Sequence, residues 1–300
     1  MEIRPLNGRT EYLACEELQK SVWKFTEREI VPTHFLLSIL SEGSAMLYGA
    51  FVEGNQFEST YIPEQNETLV GWLFGYPVLV PAEESGDRLL VRFYSDMMGV
   101  VPPFQSGGIG YRLKLAQRRY ALSLGLDWVV WTYDPLLSKN AHLNIAKLGC
   151  VTHTYIENAY GELTGINAGL PTDRFRVDWW LTSERVEKRI AGVEKPPSLA
   201  QLLNDGVTVA NPIAWKDGMP YPAENVELPE APEQPLLIEI PTDFLALKAQ
   251  DMELARAWRM HTRALFQEAF RRGYECTDYI YTRGNPPRGM YLLEKARRWR

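Results

Sequence analysis

The feature that most constrains this chain is one continuous run in three parts. An apolar stretch from Arg88 to Phe104 (RLLVRFYSDMMGVVPPF) leads into a glycine-rich segment, Gln105 to Gly110 (QSGGIG), and then into Tyr111 to Gly125 (YRLKLAQRRYALSLG). The first part is rich in β-favouring residues and predicts a buried or half-buried strand. In the third, Ile109, Leu113, Ala116, Tyr120 and Leu124 recur at steps of three and four, which marks one face of a helix. Gly125 then stands where a helix stops, because glycine enters the left-handed conformation without a Cβ penalty. The chain must therefore accommodate a strand, a glycine turn and a helix in immediate succession.

That succession has an electrostatic consequence. The first turn of a helix leaves backbone N–H groups unpaired and carries the positive end of the helix dipole. Glycines at 107, 108 and 110 let an anion approach those groups without meeting side chains. A phosphate or pyrophosphate is the expected guest, although the same glycines could serve a tight turn and nothing more. No Lys-Ser/Thr pair follows the last glycine, so this is not a P-loop, and the spacing is not the G-x-G-x-x-G of a dinucleotide fold.

Composition narrows the classes. A chain of 300 residues, 45% hydrophobic, can bury a large core in one big domain or two smaller ones. A net charge of −6 argues against a nucleic-acid partner, which would need a basic field. The opening MEIRPLNGRTEY has no apolar core of a secretory signal, and the longest apolar runs fall short of the roughly 20 residues of a membrane span. Three scattered cysteines, Cys15, Cys150 and Cys276, fit free thiols in a reducing compartment. Neither C-x-x-C nor histidine pairs at ligand spacing occur, so no metal site is expected. The chain reads as cytoplasmic, and nothing in it specifies an oligomeric state.

Taken in order, the chain predicts a short strand at Met1–Leu6, a helix capped by Thr10 with Leu13, Glu17 or Leu18 and Val22 on one face, and a second helix from Pro32 to Gly43. Strands follow at AMLYGAFVEG and at Thr68 to Val80, with Pro77 suggesting an irregular or edge position, and NQFESTYIPEQNE reads as a loop between them. After the central run come a strand at Asp127 to Tyr133, a helix from Ser138, a strand beginning at Cys150 and another at Phe175 to Leu181. Eight of the twenty prolines lie between Pro196 and Pro235, which marks a linker or wrapping segment. Beyond it, LLIEIP predicts a strand, Asp243 to Arg272 one long helix with Leu247, Leu254, Trp258, Leu265 and Ala269 inward, and Cys276 to Tyr281 and Met290 to Leu293 two strands. Arg256, Arg259 and Arg263 make a basic stripe on that helix, read as a solvated face or a lobe contact, and Lys295, Arg297, Arg298 and Arg300 a basic tail.

Gln105-x-x-Gly108-x-Gly110, opening a helix after a long strand, resembles the acyl-CoA signature Q/R-x-x-G-x-G/A of the GNAT N-acyltransferase superfamily. The element order β-α-α-β-β-β-α-β-α-β-β over residues 1–185 is similar to that family's, as is the helix from Asn140 to Lys147-Leu148-Gly149-Cys150. The WTYDPLLSKNAHLN and LPTDRF runs resemble a bacterial subfamily with an extra C-terminal region. The resemblance implies an α+β, GNAT-like fold, a mixed and mostly antiparallel sheet flanked by helices. It gives a catalytic domain at 1–185, a Pro-rich linker or wrapping segment at 186–235 and an additional α+β lobe at 236–300.

It also implies roles. Gln105, Ser106, Gly107, Gly108, Ile109 and Gly110 would hold the CoA pyrophosphate. Met98, Gly99, Val100 and Val101 would pair with the pantetheine arm on a strand that splays at a bulge, and a backbone N–H there would stabilise an oxyanion. Pro102 and Pro103, which donate no hydrogen bonds, suit a strand leaving its ladder. Asn140 either contacts the CoA arm or caps its helix. The family's thiolate-protonating Tyr is replaced by Ile145, which leaves Tyr133, Tyr155 or water as the acid. Asp96, mid-strand beside the expected bulge, is the candidate base, with His142 behind it. Arg174 and Arg176 share a strand face with Trp180 and could grip the carboxylate of an amino-acid-like acceptor, or remain solvated charges.

The expected activity is transfer of an acetyl or other acyl group, succinyl among them, from acyl-CoA to a primary amine of a small molecule by direct attack, with no metal. An acyl-enzyme is not expected, since no cysteine lies in an activating motif. The alternative is a non-catalytic acyl-CoA-binding sensor or scaffold.

Overall fold

A computed structural model of the chain describes residues 1–43, 45–86, 89–162, 165, 168–224, 226, 228, 233–297 and 299. Arg88, Arg298 and Arg300 lie outside the described residues. The chain forms two compact units, one from Met1 to Trp131 with a short stretch around Gly165, the other from Thr132 onwards. This division falls elsewhere than 1–185, 186–235 and 236–300.

The first unit runs β1 (Glu2–Pro5), α1 (Gly8–Trp23), α2 (Thr33–Ser41), β2 (Met46–Glu53), β3 (Tyr61–Ile62), β4 (Glu67–Leu79), α3 (Ala82–Ser85), β5 (Val91–Val100), α4 (Ile109–Ser123) and β6 (Trp128–Tyr133), whose last residues pass into the second unit. The predicted order holds, with the two-residue β3 and the short α3 added. β3 lies in the stretch read as a loop, where it pairs with β4. Strand order is β1-β2-β4-β5-β6. All neighbours are antiparallel except β5 and β6, which run parallel. Among the described residues the β2 register stops at Met46 opposite Gly75, while the register with β5 runs on to Leu79. Pro77 sits in that end of β4, as an edge position requires.

α1 starts two residues before Thr10. Its first turn is closed by Glu11, which accepts from the Asn7 N–H at 2.6 Å and pairs with Arg4. Its buried face is Glu11, Tyr12, Ala14, Cys15, Leu18 and Gln19, so Leu18 faces inward as expected while Leu13 is 43% exposed. α4 ends as its sequence predicts. Gly125 at φ 75° allows Leu126 N–H to reach Ala121 O and Gly125 N–H to reach Leu122 O, both at 3.0 Å, a Schellman closure.

The second unit runs α5 (Ser138–Ala141), a π-helical stretch His142–Lys147, β7 (Val151–Ile156), β8 (Arg174–Trp180), α6 (Glu184–Ile190), α7 (Leu199–Asn204), β9 (Thr208–Val209), β10 (Ala214–Lys216), β11 (Met219–Tyr221), β12 (Leu236–Ile240), α8 (Phe244–Gln250), α9 (Met252–Arg271), β13 (Tyr274–Thr282) and β14 (Arg288–Lys295). Strand order is β8-β7-β13-β14-β12-β9, with β10 and β11 a separate hairpin. β13 joins β7 at Cys276 opposite Thr152. The C-terminal strands thus continue the sheet of β7 and β8 through that pair. The proline-rich segment holds α6, α7 and β9 to β11, with a capping box at Ser198 and Gln201, and Pro220 O accepts from Trp258 Nε1 at 2.8 Å.

The single long helix expected from Asp243 to Arg272 is two. Asp251 takes an extended conformation and accepts from Leu254 N–H at 2.9 Å, so it caps α9 as Asp243 caps α8. Leu247, Leu254, Trp258, Leu265 and Ala269 are all buried as predicted. Of the basic stripe, Arg259 is buried against Asp134, and Arg263 bonds Asp173 and Glu157, so these two arginines are internal contacts. The three cysteines are buried and form no disulfide among the described residues. Among the described residues no helix is long and apolar enough to cross a membrane.

Candidate functional site

The site begins with a register fault. Opposite β4, Ser95 of β5 stands against Gly75 and Met97 against Phe74, which leaves Asp96 as the extra residue of a bulge. Beyond the bulge the ladder resumes, with Met98 against Leu73, Gly99 against Trp72 and Val100 against Gly71. The Val101 N–H then donates to Val70 O at 3.0 Å. Because antiparallel residues alternate in the side to which they bond, Gly99 and Val101 face β4 while the amides of Met98 and Val100 turn away from it.

On that other side β5 loses its partner. Its parallel register with β6 comprises Phe93 against Val129 and Tyr94 against Val130. Past that point the two strands form a fork, whose open side receives the backbone of Met98 and Val100. The bulge at Asp96 increases the local twist and helps to open it.

The glycine segment crosses the mouth of the fork. Pro102 to Phe104 make one 3-10 turn, and Gln105 Nε2 donates back to Val100 O at 3.1 Å. Ser106 has φ 65° and Gly108 φ 80°, the latter as the N-cap of α4. A Cβ on Gly108 would meet no atom within 4 Å, so the helix mouth is open. The first intrahelical bond is Arg112 N–H to Gly108 O at 3.1 Å, which places the amides of Ile109, Gly110 and Tyr111 ahead of the ladder, at the positive end of the dipole. Gln105, Ser106, Gly107 and Gly108 are exposed, and Ile109 is buried against Gly71, anchoring the mouth to β4.

Asp96 is half-buried, and desolvation raises its carboxyl above the usual range. On the α4 face of the same strand, Ser95 accepts from Lys114 Nζ at 2.8 Å. That ammonium also donates to Gln117 Oε1 at 3.1 Å and lies 3.4 Å from the centroid of the Trp131 ring. Ser95 and Trp131 each follow the last paired residue of their strand, so Lys114 occupies the base of the fork. Reading the sequence by motif passed over Lys114 and Gln117. The available signal was their place on the buried stripe of α4 beside Leu113 and Ala116, where a lysine needs partners.

The remaining expected site residues belong to the second unit. Tyr133 is buried, its hydroxyl 3.2 Å from that of Tyr291, which donates to Pro135 O at 2.7 Å; burial pushes the Tyr133 phenol well up. That is the setting of a core tyrosine. The Tyr155 hydroxyl donates to Asp173 at 2.7 Å. Asn140 is not a cap: Leu137 precedes the helix, and Asn140 lies half-buried inside it, with its own N–H donating to Leu137 O at 2.9 Å. His142 begins the π-helical stretch, and burial followed by Lys147 lowers its pKa. Arg174 is buried, donates to Asp173 O at 2.9 Å, stands 4.0 Å from Asp134 and covers the Tyr160 ring at 5.3 Å. Arg176 and Trp180 are half-buried on the same strand. Among the described residues, no group of three or more His, Cys, Asp or Glu side chains is arranged to hold a metal.

No family model matches the chain, and no curated protein matches it in sequence. Among solved structures, NAA60 of Arabidopsis thaliana in complex with a bisubstrate analogue is similar at 14% identity, over 59% of this chain and 97% of that one, with a TM-score of 0.45. Naa20 of Chaetomium thermophilum, also with a bisubstrate analogue, is similar at 16% over 66% and 92%, with a TM-score of 0.43. The aminoglycoside 6'-N-acetyltransferase AAC(6')-IG of Acinetobacter haemolyticus is similar at 15% over 47% and 87%, with a TM-score of 0.35. Likenesses of this size concern the path of the chain over part of each molecule.

Proposed function

We infer that the protein is an acyl-CoA-dependent N-acyltransferase, transferring an acetyl or related acyl group to a primary amine of a small molecule. The observation that carries this is the fork: β5 leaves β6 beside a bulge and ends at the open, glycine-capped mouth of α4. A diphosphate suits the amides of Ile109, Gly110 and Tyr111, with Gln105 to Gly108 forming the rim. An extended pantetheine arm suits the outward-facing backbone of Met98 and Val100, as an added strand would.

In the reaction the amine nitrogen attacks the acyl carbonyl carbon, an N–C bond forms and the C–S bond breaks. The Met98 N–H, facing away from β4, donates to the carbonyl oxygen as negative charge develops on it. Asp96, one residue inside Met97, accepts the proton that the amine loses. Its raised proton affinity brings it closer to the working pH of a general base. Water protonates the leaving thiolate; no proton is routed through Tyr133, whose hydroxyl is tied to Tyr291. Asn140, Arg174, Arg176 and Trp180 have no part in these steps.

Calorimetry with acetyl-CoA and CoA-thiol release across an amine panel test the reading. The wild-type protein should bind and turn over. Gly108→Glu, which sets a carboxylate at the diphosphate's place, should abolish binding. Binding without turnover on any amine would replace the enzyme with a sensor of the thioester, and wild-type protein that binds no CoA compound would remove both.

A further inference from the structure

Trp72 is fully buried, yet its indole Nε1–H has no hydrogen-bond partner. Native interiors keep few such groups, and each costs on the order of 1–3 kcal/mol. Its position gives this one a use. Trp72 stands opposite Gly99 in the β4–β5 ladder, and a Cβ built on Gly99 would lie 3.3 Å from that nitrogen and 2.8 Å from Cη2 of Trp23. The Trp23 ring therefore rests on the bare backbone of the thioester-bearing strand, in the space that any larger residue at 99 would fill.

The surroundings define what else could rest there. Trp23 meets Trp72 edge-on at 6.4 Å and stacks on Phe25 at 5.5 Å. Phe74 stacks beside Trp72 at 6.4 Å, and Phe74 is the residue that the bulge sets opposite Met97, next to Asp96. Two stacked pairs, Trp23 with Phe25 and Trp72 with Phe74, thus meet edge-on around an unanswered donor, and the register sets Phe74 opposite the residue that follows Asp96. Trp23 is half-exposed, the last residue of α1, and Lys24 after it takes a left-handed φ of 58°. A ring at a helix end, before a turn in the chain, can leave its place at small cost to the fold.

We propose that Trp72 determines acceptor specificity, its Nε1–H donating to a carbonyl oxygen of an amine that carries an aromatic ring and displaces Trp23 from Gly99. This rests on the acyltransferase reading above. The acceptor class is an aromatic amino-acid amide: the ring takes the indole's place, the carbonyl answers Trp72 and the amino group faces Asp96. The ammonium form is drawn to the same aromatic faces before it loses its proton.

The probes are L-phenylalanine amide, phenethylamine, which lacks the carbonyl, and spermidine, which lacks the ring. Wild-type enzyme should favour the amide over phenethylamine by about tenfold in kcat/KM, the worth of one hydrogen bond in a dry site. Trp72→Phe, which keeps a ring and removes the donor, should collapse that ratio towards one. Trp23→Ala should lower KM for both aromatic amines. Independently of turnover, the indole N–H resonance of Trp72 should shift on adding the amide to protein holding CoA, and stay in place with phenethylamine. It is assigned among the nine tryptophans by its loss in Trp72→Phe. A wild-type preference for spermidine, an unchanged ratio in Trp72→Phe, or a resonance unmoved by the amide would each overturn the proposal while leaving the acyltransferase standing. Failure of acetyl-CoA to bind at all would overturn both.

Discussion

Two aspartates, one in each unit, show opposite uses of burial. Asp173 lies in the second unit, where desolvation alone would raise its carboxyl. Bonds from Arg263 at 2.7 and 2.8 Å, from the Asn158 N–H at 3.0 Å and from Tyr155 at 2.7 Å outweigh that and hold it below the usual range. Asp96 in the first unit is shifted the other way, with burial the cause. The first carboxylate is spent on structure. The second keeps an appetite for a proton, and on the neighbouring strand the indole N–H of Trp72 has no partner. Burial raises a carboxyl that is left without strong partners and is overruled where arginine and backbone donors converge on it.

The largest effect that would test this contrast is in the second unit. Arg259→Met leaves the Asp134 carboxylate buried without its bidentate partner, and should lower unfolding free energy by about 3–5 kcal/mol, read from denaturant melts. Next comes Asp96→Asn, which should cut kcat by roughly 10²-fold or more while the CoA dissociation constant stays as it was. The wild-type rate should rise with pH through a value above the usual carboxylate range, and this limb should vanish in the variant. An unchanged rate removes Asp96 from the mechanism.

The two aspartates should also oppose each other in stability. A depressed carboxyl stabilises the fold above its unfolded pKa of about 3.9, and that contribution is lost as pH falls through its folded value. Asp173→Asn should therefore destabilise at neutral pH, and its deficit should shrink in acid. A raised carboxyl has the reverse sign, since the native state then holds its proton more tightly than the unfolded chain. Asp96→Asn should accordingly leave neutral-pH stability unchanged or improved. Equal losses from both substitutions would show that the contrast is absent. The smallest effect expected is that of Gly125→Ala, about 1 kcal/mol, because alanine must adopt φ 75° to keep the Schellman closure of α4.

Much of the first unit was legible in the sequence because its signals are local. The strand, glycine turn and helix from Val91 to Ser123 follow from residue type and period, and Gly125 ends α4 where expected. The bulge could be expected near Asp96, but its register depends on β4, which no local pattern states. Lys114, Gln117 and Trp72 escaped notice for the same reason: each matters through what lies across a strand or a helix face. In the second unit the inward face of α8 and α9 follows from hydrophobic period, but their break does not, since Asp251 acts as a cap only once the chain turns there. The pairing of β13 with β7 joins residues more than a hundred positions apart, which hydrophobic period cannot announce.

The short overhang of β4 past Gly75 has a consequence for the molecule's behaviour in company. Among the described residues, Pro77 to Leu79 have β5 on one flank and no β2 partner on the other, and Leu79 is 63% exposed. An uncovered strand flank of this kind invites another chain to zip onto it. Pro77 has no N–H to offer there, so a visiting strand finds the row of donors broken. Replacing that proline would give self-association a foothold that the native sequence withholds.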